Sequence, residues 1–375
     1  MINKSNWNDT KRKWDAYWRR CNAGRPLMCV IAQKEEPAEK DTRPLTMEEQ
    51  YLDAGHIVRR FRSWAGRHEF LAESFPNLSL DFGPGSMAGY LGCNIIFKPD
   101  TVWFEELVTE ENGWPDGWIG YPDLAFDPDN AWFKRHIALF EEAKCLAGDD
   151  FLLGIPDIME NADVLASMRG AQNTIFDMMD EPEEFERRIR QVQDAYYKYY
   201  DRFYHIVKGP DGGSCYTVFQ IYGTGRTVKL QCDFSAMMGP DQFSRYIVPA
   251  LDGQARQADH VLYHLDGPDA IRHVPALMEI DGIDALQWTS GDHGPDGTMD
   301  TWYPIYDQAV KAGKGLWVKV YTGAVDEWMD RLDHLVARYG SNALFLYFSP
   351  MSRENADRLL NHAEKNWRDV EGSVK

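Results

Sequence analysis

From Val261 to the end of the chain, short apolar runs rich in branched and aromatic residues alternate with helix-like stretches at a period of about 30 residues. That is the size of a parallel βα unit with its right-handed crossover. The rhythm predicts an α/β chain and favours a closed (β/α)₈ barrel of the TIM type. Eight strands are expected, at 27–32, 77–82, 152–156, 216–221, 261–264, 285–288, 316–320 and 343–348. Helices are expected at 182–207, 240–252, 270–279, 303–312, 324–339 and 352–367, the first of them announced by the acidic run Asp180-Glu181-Pro182-Glu183-Glu184. Negative charge belongs at a helix N-terminus because the peptide dipoles leave it partly positive.

A minimal barrel needs about 250 residues, and this chain has 375. The surplus falls in the first half. Residues 1–26 read as a helical extension carrying Trp7, Trp14 and Trp18, and 83–135, rich in Gly, Pro, Asp and aromatics, reads as an elaborated loop over the barrel mouth. With no Ser/Gly linker and no repeat beyond the βα unit, residues 1–375 are expected to form one domain.

Acidic side chains outnumber basic ones, 59 to 40, for a net charge of −19. Such a chain is a poor partner for nucleic acid or an anionic membrane, and a small molecule or a protein is the expected partner. No apolar stretch suits a signal peptide or a membrane span, so the expected location is cytoplasmic. The six cysteines are scattered without a CxxC pair, which predicts free thiols. The oligomeric state is left open, an oligomer included.

In a parallel barrel the chemistry gathers where the strands end. Those positions supply Glu160 after the third strand, Gln220 and Tyr222 after the fourth, and His264 and Asp266 after the fifth. The sixth supplies Gln287, Trp288, Asp292 and His293, and the seventh Lys319 and Tyr321. His264 and Asp266, two apart, lie on one side of an extended chain, and imidazole with carboxylate suits Zn²⁺ or another divalent ion. A third ligand must come from another strand end, with Glu160, Asp292 or His293 placed to give it. Alternatively Asp266 orients His264 or caps the helix opening at Pro268, with no metal. His264, Asp266, Gln287 and Glu160 are thus the candidate catalytic residues. Trp288, Tyr222, Gln220, Asp233, His293, Lys319 and Tyr321 are the candidate substrate contacts, and His264, Asp266 and Glu160 the candidate metal ligands.

Neither Gly83-Pro84-Gly85 nor Gly223-Thr224-Gly225 has the context of a dinucleotide site. The chain also lacks a GxxxxGK[ST] phosphate loop and a GxSxG elbow, which argues against a nucleotide cofactor and against serine hydrolase chemistry.

The order Gly154-Ile155-Pro156, Met168-Arg169-Gly170, then Asp177 to Glu181-Pro182-Glu183 resembles the uroporphyrinogen decarboxylase superfamily. So does the run Cys232-Asp233-Phe234-Ser235 with Gly239-Pro240, Phe243 and Pro249. YHLDGPDAIRHVPAL followed by GIDALQW resembles the branch of that superfamily grouped with corrinoid-dependent methyltransferases. The resemblance spans about residues 65–365. It implies a barrel, and it implies zinc held at the position of His264. The branch's H-x-C pair is here His264-Leu265-Asp266, and Leu346-Tyr347-Phe348-Ser349-Pro350 offers no later thiol. A harder, oxygen-rich site suits an oxygen-linked substrate better than a thiol. The Arg-rich N-terminal motif of true uroporphyrinogen decarboxylases has no match near Arg25-Pro26 or Arg59-Arg60, so tetrapyrrole decarboxylation is not expected.

Three functions compete at this stage. In the first, a methyltransferase moves a methyl group from a small methylated compound to a corrinoid on a separate protein, since the chain has no DxHxxG cobalamin motif. In the second, a carbohydrate-directed or other small-molecule lyase or hydrolase works with strand-end carboxylates and His264. The third is a binding barrel without chemistry.

Overall fold

The computed structural model describes residues 1–34, 45–291 and 294–374. Its centre is a mostly parallel sheet in the order Met351–Ser352, Leu27–Gln33, Leu344–Phe348, Gly315–Val320, Ala285–Thr289, His260–Asp266, Thr227–Gln231. His68–Ala72 adds one antiparallel strand beside Leu27–Gln33. The inner strands are apolar almost throughout because both faces are covered, as the run LMCVIAQ of the first strand illustrates. The first strand pairs in parallel with Leu344–Phe348, so the two halves of the chain meet in one sheet.

A second, short parallel pair joins Asn77–Leu78 to Leu152–Leu153, and Ile155 bridges onward to Tyr216. Among the described residues these ladders are separate from the main sheet; the fold is α/β with a largely parallel core, consistent with a barrel-like arrangement.

The fourth strand differs from expectation. Residues 216–221 are not one strand: Ser214–Tyr216 and Ile221–Gly223 form an antiparallel hairpin, reversed through Gln220 at φ 52°. The parallel strand of this region is Thr227–Gln231, which pairs with His260–Asp266. Aromatic and branched residues in 216–221 satisfy a hairpin as well as a core strand, and only pairing decides between them.

Helices cover the outer face. Pro182–Val207 starts with proline in its first turn followed by Glu183 and Glu184, and buries Phe185, Ile189, Val192, Tyr196, Tyr200 and Phe203 at helical spacing. Val325–Tyr339 is held at its start by Glu327, whose carboxylate accepts from the Ala324 amide at 2.7 Å. The 83–135 region is structured, with a short helix at Ser86–Tyr90 and a hairpin of Ile95–Phe97 with Val102–Phe104. It meets the third strand end through a bridge from Gly85 to Ile158 and anchors Trp118, Tyr121 and Pro122 by carbonyl bonds to the buried Arg188. No helix among the described residues is long and apolar enough to cross a membrane.

The N-terminal helix Trp7–Trp18 closes the end of the sheet where the strands begin. Trp14 and Tyr17 pack on Phe345, and the Trp18 indole donates to the Tyr222 carbonyl at 2.7 Å. Beside it lies Glu73, only 1% exposed. Arg25 grips its carboxylate with both terminal nitrogens at 2.7 and 3.1 Å, Lys13 at 2.8 Å and the Met28 amide at 3.0 Å. Burial disfavours the ionised acid, but Arg25 and Lys13 outweigh it and hold the Glu73 pKa below its ordinary value.

Candidate functional site

Parallel register places Gln231, His264, Gln287 and Trp317 in one row across four strands. Because side chains alternate along a strand, all four share a sheet face. The next row outward carries Asp266 and Thr289, and the next inward Lys229 and Leu262. Lys319 and Tyr347 continue the same face on the following strands. This face therefore turns polar toward the C-terminal ends of the strands, as the sequence pattern predicts for His264, Asp266 and Gln287.

Trp288 is the correction on this strand. It is paired with Leu265, one residue out of step with His264, so it points to the helical layer, where it is buried against Trp302 at a ring separation of 5.0 Å. Being last in a strand fixes the end at which a residue lies and not the face. Gln220 and Tyr222 are also elsewhere. The Asn77 amide donates to Gln220 at 2.8 Å, and Tyr222 packs on Trp7 and Phe75 under the N-terminal helix. Lys319 and Tyr321 are exposed, with the ammonium 5.4 Å from the tyrosine ring centroid. Asp292 and His293 lie outside the described residues.

The central group is Asp233, His264 and Asp266, whose ligand-capable atoms all lie within 4.8 Å of one another. His264 Nδ1 meets Gln287 Oε1, while the other end of that amide, Nε2, donates to Thr289 Oγ1 at 2.8 Å. An amide oxygen only accepts, so Nδ1 carries the proton and Nε2 keeps its lone pair. Burial, aided by the nearby Lys229 charge, holds the His264 pKa below that of free imidazole, which favours this neutral form. Among the described residues no hydrogen bond or ion pair reaches the Asp266 carboxylate. Asp233 touches solvent, yet the protein around its inner side pushes its pKa up to about 6; Lys229 works against that shift and Asp266 adds to it. On the inner wall, the Phe219 ring stands 5.1 Å from that of His264.

Behind this group lies a buried layer of charge. Lys229, fully enclosed, donates to Asp157 Oδ1 at 2.7 Å and to Gln231 Oε1. The Tyr216 hydroxyl donates to the same Asp157 oxygen at 2.9 Å. Burial opposes the Lys229 charge, but Asp157 and Glu160 restore it and the pKa rises. Glu160 Oε1 accepts from the Gln231 amide at 2.6 Å. Its pKa is pushed up to about 8, chiefly by burial and partly offset by Lys229. Asp163 accepts from the amides of Asp233 and Phe234 at 2.9 and 2.7 Å, and burial plus Asp233 push it up to about 7.

Glu160 therefore stands behind the cluster, and the third ligand-capable position of the triad is taken by Asp233. Asp163 sits in the first turn of Asn161–Arg169 and braces the Asp233 loop. Lys229 and Gln231 escape sequence reading because their strand does. The available signal is the alternation in TVKLQ, where Thr227, Lys229 and Gln231 fall on one side of the strand and Val228 and Leu230 on the other. Asp81 belongs to this wall too: burial and the neighbouring Asp157 push its pKa up to about 7.

No family model matches the chain, and no curated protein matches it either.

Proposed function

We propose that this chain is a barrel enzyme of the uroporphyrinogen decarboxylase superfamily type whose Asp233, His264 and Asp266 hold a divalent ion. Its reaction moves a methyl group from a small, oxygen-linked methyl compound to a corrinoid on a partner protein. The carrying observation is the convergence of one imidazole nitrogen and two carboxylates within 4.8 Å at the strand ends. That donor set is chemically suited to a divalent cation: two carboxylate charges balance the ion, and the neutral Nε2 is free to coordinate. The ion would act as a Lewis acid on the substrate oxygen, making it a better leaving group. The corrinoid on the partner protein would be the methyl acceptor and would supply the electron pair of the new bond to the methyl carbon. The oxygen keeps the electrons of the broken C–O bond and takes up a proton.

The chain's own residues bind and shape. Gln287 fixes the His264 ring, the Phe219 ring walls one side, and Lys319 with Tyr321 offers a cation and an aromatic surface at the open rim. The reading is tested by incubating the protein with zinc, cob(I)alamin and a panel of methyl ethers and alcohols, and following formation of methylcobalamin by its absorbance. Turnover of a panel member that is lost in His264→Ala supports it. No methyl transfer together with no metal binding would defeat it.

A second reading, a lyase or hydrolase acting through strand-end carboxylates, has one observation behind it. Burial pushes the Asp233 pKa up to about 6, which suits a strand-end carboxyl to proton exchange, and Asp266 stands beside it.

A further inference from the structure

Two glutamines flank His264 in the same register row, Gln231 on one neighbouring strand and Gln287 on the other. Each amide is fixed in direction by a second partner. Lys229, which can only donate, occupies Gln231 Oε1, so Gln231 Nε2 must point the other way and donates to Asp233 Oδ2 at 2.8 Å, with Asp163 Oδ2 at 3.4 Å. Gln287 is turned oppositely relative to the centre: its oxygen receives His264 Nδ1 and its nitrogen is held by Thr289 Oγ1 at 2.8 Å. The backbone of Gln231 is pinned as well, its N–H to Glu160 at 2.6 Å and its carbonyl by Asn161 Nδ2 at 2.8 Å.

We infer that Gln231 and Gln287 are the positioning residues of the Asp233–His264–Asp266 centre, one aiming a carboxylate by donating to it and the other aiming the imidazole by accepting from it. The inference rests on the proposed metal centre and adds what builds it. Groups that hold a metal's ligands by hydrogen bonds orient them and tune their basicity, and removing one typically costs about 10–100-fold in affinity. Opposite hydrogen-bond senses give the two sites opposite responses to the same substitution. Gln287→Glu keeps an acceptor for His264 Nδ1–H and adds negative charge, which makes Nε2 a stronger donor to a metal. Gln231→Glu removes the donor that Asp233 needs and sets a carboxylate against Asp233 and Asp163.

The test is calorimetric titration of the full chain, first stripped of metal, with Zn²⁺ and with Mn²⁺ alone. Wild type is compared with Gln231→Met, Gln287→Met, Gln231→Glu and Gln287→Glu, and thermal melts establish which variants fold. Both Met variants are expected to bind about tenfold or more weakly. Gln287→Glu should match or exceed wild type, and Gln231→Glu should fall below it. If the buried Gln231 variants do not fold, the contrast between Gln287→Met and Gln287→Glu still decides. Met variants equal to wild type, or Glu variants moving affinity in the same direction, overturn the positioning roles while leaving the centre intact. No saturable binding by wild type overturns the centre and the positioning together.

Discussion

Two buried clusters of charge sit at opposite ends of the sheet, and they are built on opposite principles. At the end where the strands begin, Glu73 is surrounded by Arg25, Lys13 and the Met28 amide, and its pKa is held low. Where the strands end, the buried ammonium of Lys229 faces Asp157, Glu160 and Asp233, and the carboxyls of Glu160, Asp163 and Asp233 rise to about 8, 7 and 6. The first cluster satisfies its charge and holds helix, strand and loop together. The second crowds buried carboxyls around one ammonium, and only its outer members, Asp233 and Asp266, reach solvent, an arrangement by which a protein keeps groups ready to bind a cation or exchange a proton.

The contrast is broken most directly by removing one partner from each cluster. Arg25→Met leaves the Glu73 carboxylate in the interior with Lys13 as the remaining cation bonded to it, and is expected to cost about 3–5 kcal/mol in urea unfolding at pH 7. Glu160→Gln at the same pH should cost under about 1 kcal/mol, because Glu160 is already largely protonated and glutamine keeps an oxygen for the Gln231 amide. Equal losses in the two variants would show that both clusters are structural.

Acidity separates the ends next. Glu73 has a folded pKa below its unfolded value, so its contribution is present above about pH 4.3 and is lost as the pH falls through the folded value. Glu160 runs the other way. Its folded pKa of about 8 lies above its unfolded value, so its contribution is full at low pH and is lost as the pH rises toward 8. Stability of the metal-free protein should therefore decline between about pH 5 and 8, by at most about 1.4 kcal/mol per unit for each such group. Glu160→Gln should flatten that decline and Glu73→Gln should not. A variant profile parallel to that of wild type would place the proton elsewhere.

How far these two ends can be read from sequence depends on what each residue needs in order to be recognised. His264, Asp266 and Gln287 are legible because alternation on a well-patterned strand sets both their end and their face. Trp288 is not, since its place one position further along reverses its face, and an aromatic ring is equally at home against a helix. Gln220 and Tyr222 fail for a topological reason: nothing local says that the chain doubles back after Tyr216 before laying down the strand that carries Lys229 and Gln231. Glu160 is legible as a strand-end residue, yet its depth behind Asp233, like that of Asp163, depends on contacts about 70 residues apart in sequence.

His264→Ala sharpens the comparison from the functional side. Its ring is half-buried and bonded to one residue, Gln287, so the loss in stability should stay near 1 kcal/mol. Zinc binding by calorimetry should disappear, because one of three ligands is gone. A drop in melting temperature as large as that of Arg25→Met would mean that His264 serves the fold instead.

The smallest effect should also be the most telling in sign. Among the described residues nothing hydrogen-bonds to the Asp266 carboxylate, and it lies beside Asp233, whose pKa it helps to raise. Without a metal, the pair is a like-charge contact at a half-exposed position. Asp266→Asn removes that repulsion and is expected to stabilise the metal-free protein by about 0.5 kcal/mol, a gain of the kind found where function holds unfavourable charge in place. The same substitution takes away one negative ligand and should weaken zinc. Zinc in excess stabilises with the logarithm of its concentration over Kd, more for the tighter binder, so the ranking of the two proteins should reverse when the melts are repeated with the metal. If Asp266→Asn is less stable than wild type in chelator, the carboxylate has a stabilising partner, and the strand-end cluster would resemble the one around Glu73 more than it differs from it.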